Sequence, residues 1–383
     1  MPTSRRLYVH IGLPKTGTSF LQAALLHNRA VLADQGLDLV PPTKRQAFEL
    51  MLLVRDRYDP TLDSASVQDS LDRFPTLLER APGSRALISQ ESLAAATPPQ
   101  IRRLLDACGD REVHVVATVR DLARQLPSAW QQRLKSGGSM TYDEFLRRAR
   151  ALEQRGVDRF PWRHLNAAEM LTRWSEPVGP SRMHVVTLPP PGSPPTTLLE
   201  RFCSVLDVDP DRMVPEETRV NTSLGRVQVE LLRRVNGELP HELLPRQIYG
   251  GVGKRFFAAQ VLAAQEARPI RVPAEFRAWC DEVAERQIKA LEGAGYAVTG
   301  QLADLRGPDQ AFADGDDEPT HRDVEEAAVK ALAQILELRA QAKHRRARGR
   351  GARPAGGPAG ASGRSLRARA GRLLRRLRSG TRG

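Results

Sequence analysis

A short glycine-containing segment near the start of the chain has the residue types of an anion-binding loop. It reads GLPKTGTS over residues 12–19 and joins an apolar run to a stretch whose apolar residues recur at a helical period. Such a loop points backbone N–H groups and the positive end of the helix dipole at a bound anion. In an ATP-binding Walker loop the lysine directly follows the second glycine, whereas here Thr18 occupies that place and Lys15 lies two residues before Gly17. The segment therefore predicts a phosphate-binding loop whose cation reaches the ligand from another direction, and it disfavours an NTPase.

Two more groups that could do chemistry follow other apolar runs. The run VVATVR ends in Arg120, and Ser128 follows eight residues later in a helix-like stretch. The segment ISQES places Glu91 at the end of a further run. An arginine fork can hold a phosphate, and a carboxylate at the carboxyl end of a strand can act as a general base. Structural alternatives stay open: Arg120 can cap a helix or pair with its acidic neighbour, Ser128 can be an N-cap, and Glu91 can cap the next helix.

In this order, the three segments resemble those of sulfotransferases that use 3′-phosphoadenosine 5′-phosphosulfate (PAPS), in particular bacterial and heparan-type members. The loop around Lys15 is similar to the family's 5′-phosphosulfate loop, P-K-[TS]-G-T-[TS]. The strand that ends in Arg120, with Ser128 on the next helix, resembles the family's 3′-phosphate signature. The run SAWQQ that starts at Ser128 is similar to the S-W-Y-Q run of heparan-type enzymes, and Glu91 matches a strand end that carries a catalytic glutamate there. These motifs cover roughly the first 135 residues, and weaker likeness continues to about residue 295.

The resemblance implies a role for each of these residues. Lys15 would neutralise the bridging and leaving oxygens, and Glu91 would take the acceptor's proton. Arg120 and Ser128 would hold the 3′-phosphate. The 5′-phosphate would be held by the loop, that is by Lys15, Thr16, Gly17, Thr18 and Ser19. In-line sulfuryl transfer to a hydroxyl or amine depends mainly on positioning and charge stabilisation, by analogy with phosphoryl transfer, and this scheme requires no metal.

Two other functions stay open. A nucleotide-binding kinase of the same fold would need a Walker-placed lysine and a magnesium-binding aspartate after a strand, and neither is evident in the sequence. A catalytically inactive protein that binds anionic ligands, or acts as a scaffold, could have kept the fold and lost the chemistry. The acceptor, whether a small molecule, a glycan or a lipid, and the oligomeric state are not determined by the sequence.

The elements that must position these residues alternate between strand-like and helix-like stretches. Strand-like runs occur at 7–11, 86–89, 113–119 and 184–188, separated by helix-like stretches at 71–80, 99–107, 124–135 and 167–174. After residue 200 the strand signal stops, and amphipathic helices are expected at 198–206, 225–236, 253–267 and 274–291. This order predicts a P-loop-like, three-layer α/β fold with a central parallel sheet, a helical C-terminal half and a disordered basic tail.

The net charge of +13 is located in that tail. Residues 343–383 contain 14 of the 58 lysines and arginines and no acidic residue, so the other 342 residues carry 44 basic and 45 acidic side chains. The high net charge is therefore no longer an argument that the protein binds a specific nucleic acid. The predicted organisation is a sulfotransferase domain, an acidic linker, a helix, a disordered Arg/Gly/Ala/Pro linker and a basic amphipathic tail, at 1–300, 301–321, 322–344, 345–363 and 364–383.

The C-terminal tail and the cysteines indicate where in the cell the protein is expected. Leucines form one stripe on a helix drawn through 365–379, with arginines opposite, so contact with an anionic membrane surface is expected. The alternatives are that the tail binds any polyanion or folds back on the acidic linker. Three scattered cysteines build no disulfide framework, and neither a secretory leader nor an apolar membrane span is recognised. The expected location is the cytoplasm, with peripheral contact at the inner face of the membrane.

Overall fold

A six-stranded parallel sheet forms the centre of the structure, a computed structural model that describes residues 5–215, 223–313 and 318–351, with the backbone alone for 345–351. In space the strands of this sheet follow the order β2-β3-β1-β4-β5-β7, and β6 pairs with β8 in a separate two-stranded sheet. The bounds in chain order are β1 Arg6–Gly12, β2 Leu37–Leu39, β3 Arg85–Ser89, β4 Glu112–Val119, β5 Met183–Thr187, β6 Val272–Pro273, β7 Ala297–Thr299 and β8 Phe312–Ala313.

Helices connect the strands and cover both faces of the sheet. Those that precede β6 are α1 Thr18–His27, α2 Arg29–Asp34, α3 Lys44–Val54, α4 Ser70–Glu79, α5 Pro98–Asp106, α6 Leu122–Leu134, α7 Tyr142–Gln154, α8 Ala167–Val178, α9 Thr197–Leu206, α10 Arg226–Glu238 and α11 Arg246–Tyr249. A π-helix, Gly250–Val261, continues directly from α11. The last two helices are α12 Arg277–Glu292 and α13 His321–Gly351.

The alternation of side chains along β1 explains the three layers. Leu7, Val9 and Ile11 are fully buried in one apolar cluster, to which α3, α4, α5 and α8 also contribute. Tyr8 belongs to a second cluster on the opposite face, which contains side chains of α1 and α9. Because successive residues of a strand point to opposite faces, an unbroken apolar run is buried only where helices cover both sides.

The predicted three-layer α/β fold is confirmed, and the four strands expected at 7–11, 86–89, 113–119 and 184–188 are present as β1, β3, β4 and β5. The expectation that strands end by residue 200 is wrong, because β7 pairs with β5 at the sheet edge. Neither β2 nor β7 was expected. Each has three residues, which is too short for an apolar run or an alternation to be recognised.

The order of the strands determines where a ligand can bind. From β1 the chain proceeds to β2 and β3 on one side, and then to β4 and β5 on the other. The side of β1 on which successive strands are added therefore changes after β3, and the strand order reverses at β1. In open parallel sheets, ligands bind outside the carboxyl ends of the strands at such a reversal point. The loop that follows β1, which contains Lys15, lies at this position.

The C-terminal region differs in part from expectation. Within the predicted acidic linker, Leu305, Phe312 and Ala313 are buried, and Phe312–Ala313 form β8. Helix α13 continues to Gly351, so residues 345–351 of the predicted disordered segment are helical, as their four arginines favour. The rest of the predicted disordered linker and the amphipathic tail lie outside the described residues, and the predicted domain boundaries stay predictions.

Contact density divides the chain into two units, residues 1–332 and 333–383. The first contains both sheets, and the described part of the second is the remainder of α13. Within the described ranges, no helix is both long and apolar enough to cross a membrane. The three cysteines are free and buried.

Candidate functional site

The loop between β1 and α1 leaves the N-terminus of that helix open to a ligand. Gly17 is the N-cap residue, with φ 79°, and no side chain accepts a hydrogen bond at this cap. The first turn of α1 contains no acidic residue. Its N–H groups and the positive end of the helix dipole are therefore available to an anion.

The backbone of the loop requires small residues and is held in an unusual conformation. A Cβ atom at Gly12 would lie 2.5 Å from Thr118 Oγ1, and one at Gly17 would lie 2.3 Å from Leu198 Cδ2. Lys15 itself has φ 68°, in the left-handed region that non-glycine residues rarely adopt. Such conformations cost about 1–3 kcal/mol and occur preferentially at functional sites.

Thr16 differs from the other hydroxyl residues of the loop. Its side chain is fully buried, and its hydroxyl donates to the carbonyl oxygen of Leu13 at 2.8 Å and lies 2.8 Å from Thr118 Oγ1. The expectation that this hydroxyl holds a phosphate does not agree with this geometry, since both contacts are internal. Thr16 joins the loop to β4, whereas Thr18 and Ser19 line the cleft beside the loop.

Lys15 and Glu91 meet in that cleft. Burial lowers the pKa of Lys15 below its ordinary value, while the negative charge of Glu91 opposes this shift. Glu91 begins a short 3-10 helix immediately after β3, and its carboxylate accepts a hydrogen bond from the Thr18 hydroxyl. The N-cap of the short helix is Gln90, whose side chain accepts from Ser92 N at 3.2 Å. The capping role that was the alternative for Glu91 is thus filled by its neighbour.

The cleft has a volume of about 410 Å³ and is formed by five parts of the chain. The loop and the first turn of α1 contribute one wall, and the segment after β3 contributes Glu91 and its neighbours. The remaining polar residues come from elsewhere: Arg55, Gln132, Arg163 and His164. Glu91 is the only carboxylate among the described lining residues, which favours a ligand with negative charge.

Arg120 connects this cleft to a second pocket. Its Nη1 donates to the carbonyl oxygen of Lys15 at 3.0 Å, and its Nε is buried without a hydrogen-bond partner in the described structure. Arg120 Nε forms only a long ion pair with Asp121, at 4.0 Å, and Arg124 engages the same carboxylate more closely, so the hydrogen bond of Nε is left unmade. Burial and the charge of Arg124 lower the pKa of Arg120 to about 10. A buried donor without a partner is the feature expected of a ligand-binding arginine.

The second pocket has a volume of about 360 Å³ and is strongly cationic. Its lining contains Ser128, other uncharged polar residues, apolar residues and four arginines, which are Arg120, Arg124, Arg268 and Arg271, with no acidic residue among its described lining. Ser128 lies one turn after Arg124 on α6, and its hydroxyl donates to the carbonyl oxygen of Arg124 at 3.1 Å. The structure thus places Arg120 and Ser128 in one pocket, and their binding of a 3′-phosphate stays a prediction.

Two further lysines approach Lys15 and were not predicted as site residues. Burial and the charges of Lys15 and Lys254 lower the pKa of Lys135 to about 8. Lys135 directly follows α6, and the Tyr249 hydroxyl donates to Leu134 O. Lys254 lies on the π-helix, where a Cβ at the preceding glycine would lie 2.2 Å from the Tyr249 ring. A buried tyrosine thus brings the two lysines together, and π-helical turns often mark functional sites.

Lys15, Lys135 and Lys254 are far apart in the sequence, so no local motif predicts that they cluster. One indication was nevertheless present in the composition. The chain has only seven lysines among 58 basic residues, and three of the seven converge on this region. His10 does not belong to the site: it is fully buried, and burial lowers its pKa to about 3. Trp162 lines a different cavity, although Arg163 and His164 beside it line the cleft. Within the described ranges, no group of three or more His, Cys, Asp or Glu side chains could hold a metal ion.

Comparison with known proteins finds similarity to solved structures. Neither a protein-family model nor a curated protein sequence matches the chain. The chain is similar to the crystal structure of a sulfotransferase from Alicyclobacillus acidocaldarius, with 14% sequence identity and a TM-score of 0.41. The match covers 79% of this chain and 100% of that one. Residue roles do not follow from a likeness of this degree.

Proposed function

We propose that the protein is a sulfotransferase that transfers a sulfuryl group from PAPS to a hydroxyl or amine acceptor. The observation that carries this proposal is the position of Arg120, which lines the arginine-rich pocket and donates to the carbonyl oxygen of Lys15 in the loop. Two anion-binding regions are therefore adjacent. A nucleotide with separate 5′- and 3′-phosphates fits this arrangement, whereas the phosphate chain of ADP or ATP needs only the loop.

The donor's two phosphates would occupy the two regions. The open N-terminus of α1, with Lys15, Thr18 and Ser19 beside it, would bind the 5′-phosphosulfate. The unpartnered Nε of Arg120 and the hydroxyl of Ser128 would bind the 3′-phosphate, because they share the pocket next to the loop. Lys135 and Lys254 would add positive charge near Lys15.

The chemistry follows from Lys15 and Glu91. The acceptor oxygen or nitrogen forms a bond to sulfur while the bond between sulfur and the 5′-phosphate oxygen breaks, and negative charge develops on that oxygen. Lys15 would stabilise this charge, and its depressed pKa follows from the same burial that strengthens electrostatic interactions in the cleft. The Glu91 carboxylate would accept the acceptor's proton, with the Thr18 hydroxyl fixing its orientation.

The proposed partners are thus the donor and an acceptor of small-molecule, glycan or lipid type, with no specific nucleic acid. Contact of the basic tail with an anionic membrane stays a proposal of the same kind. Neither a metal ion nor a further cofactor is part of this proposal.

Calorimetry with the desulfated donor, 3′-phosphoadenosine 5′-phosphate, tests the proposal against its rivals. We expect micromolar binding of this nucleotide and at least tenfold weaker binding of ADP. Equal or tighter binding of ADP, strengthened by Mg²⁺, would support a kinase instead. Tight binding without turnover of PAPS in the presence of any acceptor would support the inactive, anion-binding alternative.

A further inference from the structure

Arg55 lines the same cleft as Lys15 and Glu91, and its charge lacks a partner among the described residues. It directly follows α3 and is half-buried. Its Nε is buried without a hydrogen-bond partner, and no ion pair involves this side chain within the described ranges. An unpaired, partly desolvated charge is costly, and the cost is removed when a counter-charge is bound.

Two other half-buried arginines of the chain, by contrast, are paired with a carboxylate. Arg201 lies 2.7 Å from Asp304, and Arg124 binds Asp121. The two charged groups that act on Arg55 are instead cations, Arg57 and Arg163. Together with burial, they lower the pKa of Arg55 to about 10. The protein thus maintains a local concentration of positive charge that weakens its own folded state.

The charged and titratable groups beside Arg55 cannot supply the missing negative charge. Arg163 is held by Asp158 at 2.9 Å, and the same carboxylate binds Arg173 at 3.1 Å, so one anion is shared by two cations. Burial and the neighbouring arginines lower the pKa of His164 to about 4, which leaves this residue neutral near pH 7. Glu91, the carboxylate of the same cleft, acts on Lys15 and not on Arg55, so a ligand is the remaining source of negative charge beside Arg55.

We propose that Arg55, with Arg163 beside it, binds an oxyanion carried by the acceptor, so that the enzyme sulfates anionic alcohols or amines in preference to neutral ones. The group can be a carboxylate, a sulfate or a phosphate monoester, because each presents paired oxygens to a guanidinium fork. That the bound oxyanion belongs to the acceptor rests on the proposed function, because under that function the donor fills the side of the cleft next to the loop. The anion site itself does not depend on that function.

The test measures anion binding to the complex with saturating 3′-phosphoadenosine 5′-phosphate, in which the donor's phosphate positions are filled. Sulfate, acetate and methyl phosphate are titrated separately against chloride at constant ionic strength, and affinities are derived from calorimetry and from the shift of the thermal midpoint. We expect at least one of them to bind the unmodified protein, and the tightest identifies the acceptor's group. Arg55→Gln should weaken that binding about tenfold or more, as the loss of a charged hydrogen bond requires.

Matched variants distinguish a specific site from general charge. Arg57→Gln removes the same charge from an exposed neighbour that does not line the cleft, and it should change the affinity less than threefold. Arg55→Lys should retain part of the binding. The affinity for the desulfated donor should be unchanged in Arg55→Gln, and the thermal midpoint of its free form should be equal to or above that of the unmodified protein, because an unpaired charge is removed.

Several results would overturn the inference. These are the absence of binding by all three anions, equal losses in Arg55→Gln and Arg57→Gln, or a lower thermal midpoint for Arg55→Gln, which would indicate a structural role. If the desulfated donor itself does not bind, the proposed function fails. The anion titrations are then repeated on Lys15→Ala, in which the loop's cation is absent. If adding Arg55→Gln to this variant abolishes anion binding, the Arg55 site is supported. If binding is unchanged, the Arg55 site is refuted.

Discussion

Replacing Arg120 by lysine separates two interactions that this side chain makes. Its Nη1 holds the carbonyl oxygen of Lys15 at 3.0 Å, in a loop whose lysine has φ 68°. Its Nε is buried without a hydrogen-bond partner among the described residues, and the side chain lines the pocket that contains Ser128. Lysine keeps the positive charge but lacks the planar fork that holds two donor nitrogens at fixed separate positions, so it is not expected to make both contacts in the geometry of arginine.

The two interactions can be assigned by comparing two ligands. 5′-AMP lacks the 3′-phosphate and reports on the loop alone, whereas 3′-phosphoadenosine 5′-phosphate reports on both regions. A hydrogen bond to a charged group contributes about 1.5–3 kcal/mol, so Arg120→Lys should reduce the ratio of the two affinities about 10- to 100-fold. The affinity for 5′-AMP should fall less, because this ligand is affected only by the weaker hold of residue 120 on the loop.

Calorimetry with both nucleotides measures this ratio, and Ser128→Ala provides the control. The Ser128 hydroxyl bonds only to its own helix at Arg124 O among the described contacts, so its loss leaves the loop intact. Ser128→Ala should therefore lower the affinity for the bisphosphate two- to tenfold, as expected for one ordinary hydrogen bond, without affecting 5′-AMP. If Arg120→Lys lowers both affinities by the same factor, Arg120 supports the loop alone and the 3′-phosphate assignment is wrong.

Three further predictions concern turnover and acid stability. Lys15→Ala should reduce sulfuryl transfer about a hundredfold or more, with a much smaller loss of donor affinity, because Lys15 acts on charge that develops in the transition state. Glu91→Gln preserves shape and removes basicity, so turnover with a hydroxyl acceptor should fall while calorimetric binding of the desulfated donor is retained. Burial lowers the pKa of His10 to about 3 and those of His164 and His184 to about 4, so these residues bind protons mainly in the unfolded chain. The free energy of unfolding, measured by urea titration, should therefore fall as the pH drops from about 6.5 to 5, by on the order of 2 kcal/mol from His10 alone.

Each of these has a contradicting outcome. Equal losses of affinity and turnover in Lys15→Ala would assign that residue to ground-state binding. Turnover of Glu91→Gln at the rate of the unmodified protein would remove the glutamate as the base. For acid stability the readout is the slope of the unfolding free energy with pH, which His10→Gln should flatten. A slope unaltered by that substitution would contradict the assignment to His10.

The layered sheet could be predicted because its central strands are apolar on both faces. Strands β1 and β4 are rich in buried apolar residues, many of them β-branched, which is typical of strands covered by helices on two sides. Helix α3 ends in an unbroken apolar run, so its helical period was not recognised. Helix α7 was missed although Thr141 and Glu144 form a capping box at its start, a signal that the sequence contains.

The site could be predicted only where its residues follow strands directly. Lys15, Glu91 and Arg120 lie next to the carboxyl ends of β1, β3 and β4, which meet at one edge of the sheet. Arg55 follows α3, which carries no motif, and Lys135 lies beyond the motif residues of α6. The packing of distant segments alone brings Arg55 to the cleft and Lys135 near Lys15. The inward orientation of the Thr16 hydroxyl depends on Thr118, 102 residues away, so no local pattern indicates it.

The central claim is that one nucleotide with two separated phosphates spans the loop and the arginine-rich pocket. The most direct measurement is an experimental structure of the complex with 3′-phosphoadenosine 5′-phosphate. We expect the 5′-phosphate at the N-terminus of α1 beside Lys15, and the 3′-phosphate within hydrogen-bond distance of Arg120 Nε and Ser128 Oγ. A nucleotide that occupies the loop with its 3′-phosphate in solvent, or that binds outside both regions, would contradict the account.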